Sequence, residues 1–172
     1  MEVEIRRERE IEFGEIRELV REAFLTAENA EGDEHDFVER QRQGGGYIPE
    51  LALVAKCDAR LAGHILLTQI FIEAYAQQLP ILLLAELSVS LPLRRRGIAS
   101  ALIDMACAEA RRLGFQAVIL VGDPDFYGRF GFRSSREFGL FNTNGIDPKY
   151  VLVYELVPRA AKTLSGTVHL PQ

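Results

Sequence analysis

The feature that most constrains the fold of this chain is a basic loop between an apolar run and an amphipathic segment. The apolar run covers residues 81–89, the loop covers Leu91–Ala99 with the sequence LPLRRRGIA, and the amphipathic segment covers residues 98–113. This order predicts a strand that turns directly into a helix. The first N–H groups of a helix have no intrahelical acceptor, and the helix dipole is positive at that end. The loop therefore predicts an anion site, and its arginines favour a phosphate-bearing ligand.

Composition sets the class of protein. The chain has 172 residues, of which 48% are hydrophobic and 26% charged, as expected for one globular domain. Its net charge of -5 argues against nucleic-acid binding. The longest apolar run stops at Glu86, well short of the ~20 residues that span a bilayer, so no membrane association is expected. Cys57 and Cys107 form no CxxC pair, and the charged N-terminus has no signal-peptide pattern, which predicts a cytoplasmic protein.

Periodicity and turn residues predict the secondary structure. The strands are expected around residues 3–5, 51–57, 61–74, 81–89, 116–121, 138–141 and 150–157, and the helices over residues 13–24, 33–42, 97–113 and 124–130. Gln77–Pro80 is expected to break the chain before the fourth strand, and Met105 to lie on the buried face of the third helix. Gly114 is expected to stop that helix.

This order of elements predicts an α/β fold, with a mixed sheet and helices on both faces in a single domain. The unit over residues 81–121 should be parallel and right-handed, with its ligand at the carboxyl ends of the strands, near Leu87–Ser90 and Val121–Asp123. The domain is expected to cover residues 1–158, and residues 159–172, which lack periodicity, to form a C-terminal tail.

Two motifs at a characteristic separation carry a family resemblance. Arg94–Ala99 fits the pattern Gln/Arg-x-x-Gly-x-Gly/Ala, which taken alone also suits a solvated arginine run at the start of a surface helix. Tyr127, Gly131 and Phe132 form Tyr-x-x-x-Gly-Phe about thirty residues later, just past the next strand. Over residues 3–157 the chain resembles the GNAT superfamily of acetyl-CoA-dependent N-acetyltransferases, and its YhbS-like subfamily in particular.

The resemblance implies acetyl-CoA as cosubstrate, bound where a parallel pair of strands splays within a mostly antiparallel, twisted sheet. It implies that the pantetheine arm pairs with the backbone of the strand before the loop, and that the pyrophosphate lies on the amides of the loop. The strand residues are Leu87, Ser88 and Val89, and the loop residues are Arg94, Arg95, Arg96, Gly97, Ile98, Ala99 and Ser100. Gly97 lacks a Cβ, so a phosphate can approach its backbone closely.

Tyr127 is the candidate general acid. When an amine attacks the thioester, the leaving thiolate has a conjugate acid with a pKa of about 8.5, and a phenol with a pKa of about 10 can protonate it. The position of Tyr127 in the family motif points to the same role. The alternative is a tyrosine that fills the gap between the short helix and the sheet.

Glu86 is the candidate residue that contacts the acceptor amine and accepts its proton. It interrupts the apolar run, and strand alternation places it on one face with Leu82, Leu84, Ser88 and Ser90. Apolar surroundings would raise its pKa and suit it to proton abstraction, directly or through water. The alternatives are an exposed carboxylate at the strand end or one paired with an arginine. Asp123 is a second acidic candidate, which could instead cap the short helix.

Other polar residues favour structural roles. A single histidine within a strand, His64, is expected to be structural, and no His/Cys/Asp cluster has the spacing of a metal site. Cys57 and Cys107 lie in elements rather than in nucleophile motifs, which favours direct transfer over a covalent enzyme intermediate. The acidic residues 28–36 and the loop Gly44–Gly46 would border the acceptor site in this fold, although a solvated acidic helix face is the favoured explanation of the charges.

Two hypotheses of function follow. The first is an N-acetyltransferase that acts on a primary amine of a small molecule, peptide or protein; the second is a catalytically silent acyl-CoA-binding sensor or partner-binding module. An intact Tyr127 favours the enzyme. The identity of the acceptor is set by loops that vary on one scaffold, and a homodimer through the late strands at 138–157 stays open.

Overall fold

The computed structural model describes residues 1–28 and 30–172. This part of the chain contains nine strands and four α-helices, together with short 3-10 turns. The strands are β1 (Val3–Arg7), β2 (Tyr47–Cys57), β3 (Arg60–Ala74), β4 (Gln77–Val89), β5 (Ala117–Val121), β6 (Arg133–Ser134), β7 (Leu140–Asn142), β8 (Val151–Glu155) and β9 (Gly166–Val168). The helices are α1 (Phe13–Phe24), α2 (Glu34–Gln43), α3 (Ile98–Arg112) and α4 (Pro124–Tyr127).

The strands belong to one mixed sheet with the order β1-β2-β3-β4-β5-β8-β6, and β9 pairs with β3 and β7. Antiparallel pairs join β1 to β2, β2 to β3, β3 to β9, β5 to β8 and β6 to β8. The β4–β5 pair is parallel, with Leu82 opposite Val118 and Leu83 opposite Ile119. The predicted α/β fold, mostly antiparallel with a parallel β4–β5 pair, is confirmed.

The chain falls into two compact units. The first comprises Met1–Thr68 and Ala85–Glu109, and the second comprises Gln69–Leu84 and Ala110–Gln172. Strands β3 and β4 and helix α3 contribute residues to both units.

In the first unit, helices cover both faces of the sheet, as predicted. Helices α1 and α2 close one face, where a buried apolar cluster contains Ile16, Val20, Val38, Ala52, Val54 and Leu66. Helix α3 lies close against the other face at Gly63. A Cβ built at Gly63 would lie 3.0 Å from Leu102 Cδ1 and 3.1 Å from Ile98 Cγ2. Glycine at this position therefore allows the first turns of α3 to approach β3 closely.

In the second unit, β5 supplies a continuous buried strand. Residues 117–120 are buried, as expected for a strand with helices or other elements against both faces. Strand β8 pairs with it from Ala117↔Glu155 to Val121↔Val151. Helix α3 ends at Arg112, and Gly114 follows with a φ of +89°, in the left-handed conformation of a helix stop.

Four details of the sequence prediction are corrected. Gln77–Pro80 do not break the chain but begin β4, because the turn comes earlier, at Tyr75 with its positive φ of 54°. Met105 is 46% exposed rather than buried. Strand β6 has only two residues, too few to show periodicity. Residues 166–168 form β9 through pairing with strands distant in sequence, so the segment beyond residue 158 contributes to the sheet, while the domain boundary itself stays a prediction.

Candidate active site

The basic loop leads into α3 as the sequence predicts. The carbonyl of Gly97 accepts the first helical hydrogen bond, from the N–H of Ala101 at 3.0 Å. The N–H groups of residues 98–100 are therefore those of the first turn, which an α-helix leaves without intrahelical acceptors. Arg95 and Gly97 both have positive φ, 62° and 82°, and these two left-handed residues bend the loop tightly before the helix. The loop has the backbone form of an anion site.

The side chain of Arg94 faces α1. Its Nη2 donates a hydrogen bond to the carbonyl of Ala23 at 2.7 Å, and its Nη1 donates one to Thr26 Oγ1 at 3.2 Å. A cation at the carboxyl end of a helix satisfies a free carbonyl and opposes the negative end of the dipole. All three arginines of the loop are exposed, and Arg94 links the loop to α1.

A buried charge network occupies the α1/α2 face of the first unit. We use this name for Glu8, Arg42, Tyr47, His64, Glu86 and Ser88. The carboxylate of Glu8 is its centre: Arg42 donates to it through Nε at 2.9 Å and Nη2 at 2.8 Å, and the Tyr47 hydroxyl donates to it at 2.8 Å. The side chain of Glu8 is 1% exposed and that of Arg42 is 7% exposed. Burial makes these charged hydrogen bonds strong and their loss costly.

Glu86 lies in this network together with Ser88 of the same strand. Its Oε2 contacts Nδ1 of His64, and its Oε1 accepts a hydrogen bond from the hydroxyl of Ser88. Its side chain is 1% exposed. The carboxylate is thus neither exposed nor paired with an arginine, the two alternatives that the sequence allows. Its partner is His64, a residue for which the sequence indicates only a structural role.

Burial and charge act in opposite directions on the network. Burial lowers the pKa of His64, but the charge of Glu86 and hydrogen bonds with Glu8 and Glu86 outweigh this effect and raise the pKa to about 9. Burial raises the pKa of Glu8, but hydrogen bonds from His64 and Arg42 lower it to about 2. Burial, followed by the charge of Glu8, raises the pKa of Tyr47. At neutral pH the network therefore holds ionised Glu8 and protonated His64.

Tyr127 is half-buried at the end of α4 in the second unit. Its ring centroid lies 4.9 Å from that of Phe126 and 5.7 Å from that of Phe132, both in edge-on arrangements. The N–H of Phe132 donates to the carbonyl of Tyr127 at 3.3 Å, and Gly131 ends this turn with a φ of +93°. Tyr127 and Phe132 of the Tyr-x-x-x-Gly-Phe motif thus contact each other, and Phe126 packs against the tyrosine ring as well.

The remaining acidic candidates have local structural partners. Asp123 caps α4, accepting a hydrogen bond from the N–H of Asp125 at 2.9 Å. Asp36 pairs with Arg17 at 2.6 Å, and Asp33 with Arg40 at 3.2 Å. These contacts favour the interpretation of the acidic segment as a solvated helix face.

Within residues 1–28 and 30–172, no group of three or more His, Cys, Asp or Glu side chains could hold a metal ion. None of the described helices is long and apolar enough to cross a membrane.

The sequence does not identify Glu8, Arg42 and Tyr47 as functional residues, and it indicates only a structural role for His64. Glu8 and Arg42 are 34 positions apart, and Glu8 and His64 are 56 apart. Their pairing depends on the position of α2 and on the register of β1, β2 and β3, which no local pattern reveals. One signal is that His64 and Glu86 interrupt apolar stretches of β3 and β4.

Comparisons with known proteins identify relatives across most of the chain. The family model for acetyltransferase (GNAT) domains matches residues 4–134. The chain is 28% identical over 118 residues to YjhQ of Escherichia coli (strain K12), an uncharacterized N-acetyltransferase, an alignment that covers 69% of this chain. The match spans only 62% of the length of YjhQ.

Two solved structures share the fold. The GNAT family N-acetyltransferase YhbS from Escherichia coli, in complex with CoA, superposes with a TM-score of 0.86 at 25% identity, over 98% of this chain and 89% of that one. A GNAT family acetyltransferase from Brucella melitensis, in complex with acetyl-CoA, superposes with a TM-score of 0.74 at 25% identity, over 91% of this chain and 90% of that one.

Proposed function

The chain belongs to the GNAT family of acetyltransferases, and we propose that it transfers the acetyl group of acetyl-CoA to a primary amine of a small molecule, peptide or protein. The observation that carries this proposal is the family match over residues 4–134, which includes both the basic loop and the tyrosine motif. Relatives with the same fold bind CoA or acetyl-CoA, which supports acetyl-CoA as the cosubstrate.

The loop before α3 is the proposed pyrophosphate site. Its support is the first helical turn at Ile98–Ser100, whose N–H groups and dipole favour an anion, and the arginine charge beside it. The backbone of Leu87, Ser88 and Val89 at the end of β4 is the proposed partner of the pantetheine arm. Because the Arg94 side chain already donates to α1, the amides of the loop and the side chains of Arg95 and Arg96 are the proposed phosphate contacts.

The proposed reaction is direct attack. The neutral amine nitrogen forms a bond to the thioester carbonyl carbon, the carbonyl oxygen gains charge, and the C–S bond breaks as the tetrahedral intermediate collapses. A backbone N–H near Val89 can stabilise the oxyanion. Tyr127 gives its phenolic proton to the departing thiolate of CoA, whose conjugate acid has a pKa of about 8.5.

Glu86 is the proposed acceptor of the proton that leaves the amine. Because its side chain is 1% exposed, the proton reaches it through an intermediate group. Ser88 is also buried, but its hydroxyl already donates to Glu86, so it is the proposed last step of a relay through water: it passes its proton to Glu86 and takes one from the water that contacts the nitrogen. Glu86 and Ser88 are two positions apart on one strand, so their side chains point to the same face of the sheet.

The experiment that tests this function compares the wild type with Tyr127→Phe. Each protein is incubated with acetyl-CoA and a panel of amines, and the release of free CoA is measured. The panel includes polyamines, lysine and peptides with a free N-terminal amine. If Tyr127 is the acid, kcat falls about 10²-fold or more, while acetyl-CoA affinity is unchanged. Tyr75→Phe is the matched control, because Tyr75 is fully exposed in the turn before β4. Equal kcat in the two variants would contradict the assignment of Tyr127.

A further inference from the structure

Both ring nitrogens of His64 face carboxylate oxygens. Its Nε2 lies 2.8 Å from Glu8 Oε2, and its Nδ1 contacts Glu86 Oε2. The ring is completely buried, so water cannot replace either partner. A neutral imidazole donates from only one nitrogen and presents a lone pair at the other. An ionised carboxylate at that second nitrogen would then face the lone pair without a proton between them.

Glu8 is the carboxylate that stays ionised. Arg42 donates to both of its oxygens, and Tyr47 donates to Oε1. A carboxylate that accepts several hydrogen bonds, two of them from a guanidinium, is strongly held in its charged form. The nitrogen that faces Glu8 must therefore carry a proton, and the remaining question concerns Nδ1 and Glu86.

An imidazolium satisfies both contacts, because it donates from Nε2 to Glu8 and from Nδ1 to Glu86. With His64 protonated, the network contains two anions, Glu8 and Glu86, and two cations, Arg42 and His64. Of these two carboxylates Arg42 contacts Glu8, and His64 is the cation in contact with Glu86. A buried unpaired carboxylate on β4 would carry a large desolvation cost. The raised pKa of His64 agrees with this assignment.

We propose that His64 is a positioning residue: as an imidazolium between Glu8 and Glu86, it holds the Glu86 carboxylate in place and ionised for the acceptor amine. The proposal rests on the proposed role of Glu86 in accepting the amine proton. The charged and titratable groups that face His64 are Glu86 from β4 and Glu8 after β1; Arg42 of α2 and Tyr47 of β2 lie behind Glu8. The ring thereby connects the Glu8–Arg42 ion pair to Glu86 on β4 and restrains the position of the Glu86 carboxylate.

The direct test is the protonation state of the ring in the full-length protein. Nitrogen–proton correlation spectra of protein labelled with isotopic histidine are recorded from mildly acidic to alkaline pH, and His64 is assigned by its loss in His64→Asn. We expect both ring nitrogens to be protonated at neutral pH. A neutral ring at neutral pH, with one unprotonated nitrogen, would overturn the inference. These spectra require no acceptor, so they are decisive even if acetyl transfer is never observed.

The functional test is a pair of substitutions at His64. The amide nitrogen of asparagine can replace Nδ1 and still donate to Glu86, whereas that of glutamine can replace Nε2 and donate to Glu8. Both remove the positive charge, so the acidic limb of the kcat/KM profile should move up by about one pH unit in each. We expect His64→Asn to retain more activity than His64→Gln. Unshifted limbs in both folded variants would overturn the proposal.

A double-substitution cycle separates positioning from general stability. If His64 acts through Glu86, His64→Asn should not lower kcat further once Glu86→Gln is present. Independent losses that multiply would contradict the inference. His35→Asn is the matched control, since His35 lies on α2 outside the network, and thermal unfolding reports the structural cost of each change separately. Failure of the wild type to release CoA with any amine would instead contradict the proposed function.

Discussion

The ring of Tyr127 lies directly against the Cα of Gly122. A Cβ built at Gly122 would lie 2.6 Å from Cε2 of the tyrosine, a distance at which one of the two must move. Gly122 is the first residue after β5, and its N–H donates to the carbonyl of Tyr150 at 2.9 Å, which anchors its backbone. The Tyr127 ring can therefore occupy this position only because residue 122 is a glycine.

We predict that Gly122→Ala lowers kcat, as Tyr127→Phe does. The new methyl group displaces the phenol, and misplacement of a catalytic group by about 1 Å can cost about 10²-fold in rate. Gly128→Ala is the matched control, because a Cβ there meets nothing within 4 Å and no unusual φ is involved. Steady-state kinetics of both variants test the prediction, and equal rates would show that the ring position is unimportant.

We predict that Gly97→Val weakens acetyl-CoA binding more than Arg95→Ala does. A Cβ at Gly97 meets nothing within 4 Å, but its φ of +82° is strained for valine, so the loop changes shape and its amides lose their alignment. Arg95→Ala removes one exposed charge and leaves the amides in place. Calorimetric titration with acetyl-CoA measures both affinities. Wild-type affinity in Gly97→Val would show that the loop does not hold the pyrophosphate.

We predict that Arg94→Ala destabilises the protein, whereas Arg96→Ala does not. Arg94 donates to the carbonyl of Ala23 at the end of α1 and to Thr26, and loss of such a bond costs about 1 kcal/mol. Both side chains are exposed, but Arg96 makes no such hydrogen bond within the described residues, so its replacement should have little effect. Urea unfolding gives both free energies. Identical values for the two variants would argue against a structural role for the Arg94 contact.

We predict that the network makes the free energy of unfolding depend on pH in two windows. The pKa of His64 rises from 6.5 to about 9 on folding, so its stabilisation is complete below pH 6.5 and is lost as the pH rises towards 9. The loss is about 3 kcal/mol at most. The pKa of Glu8 falls from 4.5 to about 2, so its stabilisation is complete above pH 4.5 and is lost as the pH falls towards 2.

Urea unfolding across this pH range measures the effect. The alkaline decline should be absent in His64→Asn and present in His35→Asn, which leaves the network intact. An equal alkaline decline in both variants would assign it to other groups.

Local patterns predicted much of this fold. The apolar spacing of residues 13–24 gives α1 with the same bounds, and the order of run, basic loop and amphipathic segment gives β4, the loop and α3. The cap at Asp123 and the stop at Gly114 also follow from residues that favour one backbone position. Each of these features depends on residues close together in the chain.

Features that depend on distant residues were not predictable. Strand β9 exists because Ile72 and Leu140 offer it partners on both sides, although its own three residues show no pattern. The partner of Glu86 is a histidine 22 positions earlier, and Glu8 and Arg42 join it from other elements. Alternation along β4 could place Glu86 and Ser88 on one face, but only the sheet register brings His64 to them.

The central claim, that this chain is an acetyl-CoA-dependent N-acetyltransferase, is tested most directly by mass spectrometry of amines incubated with the protein and acetyl-CoA. We predict that at least one primary amine gains one acetyl group, with release of an equal amount of CoA, and that Tyr127→Phe slows both. Tight binding of acetyl-CoA without an acetylated product for any amine in the panel would contradict the claim and indicate an acyl-CoA-binding module instead.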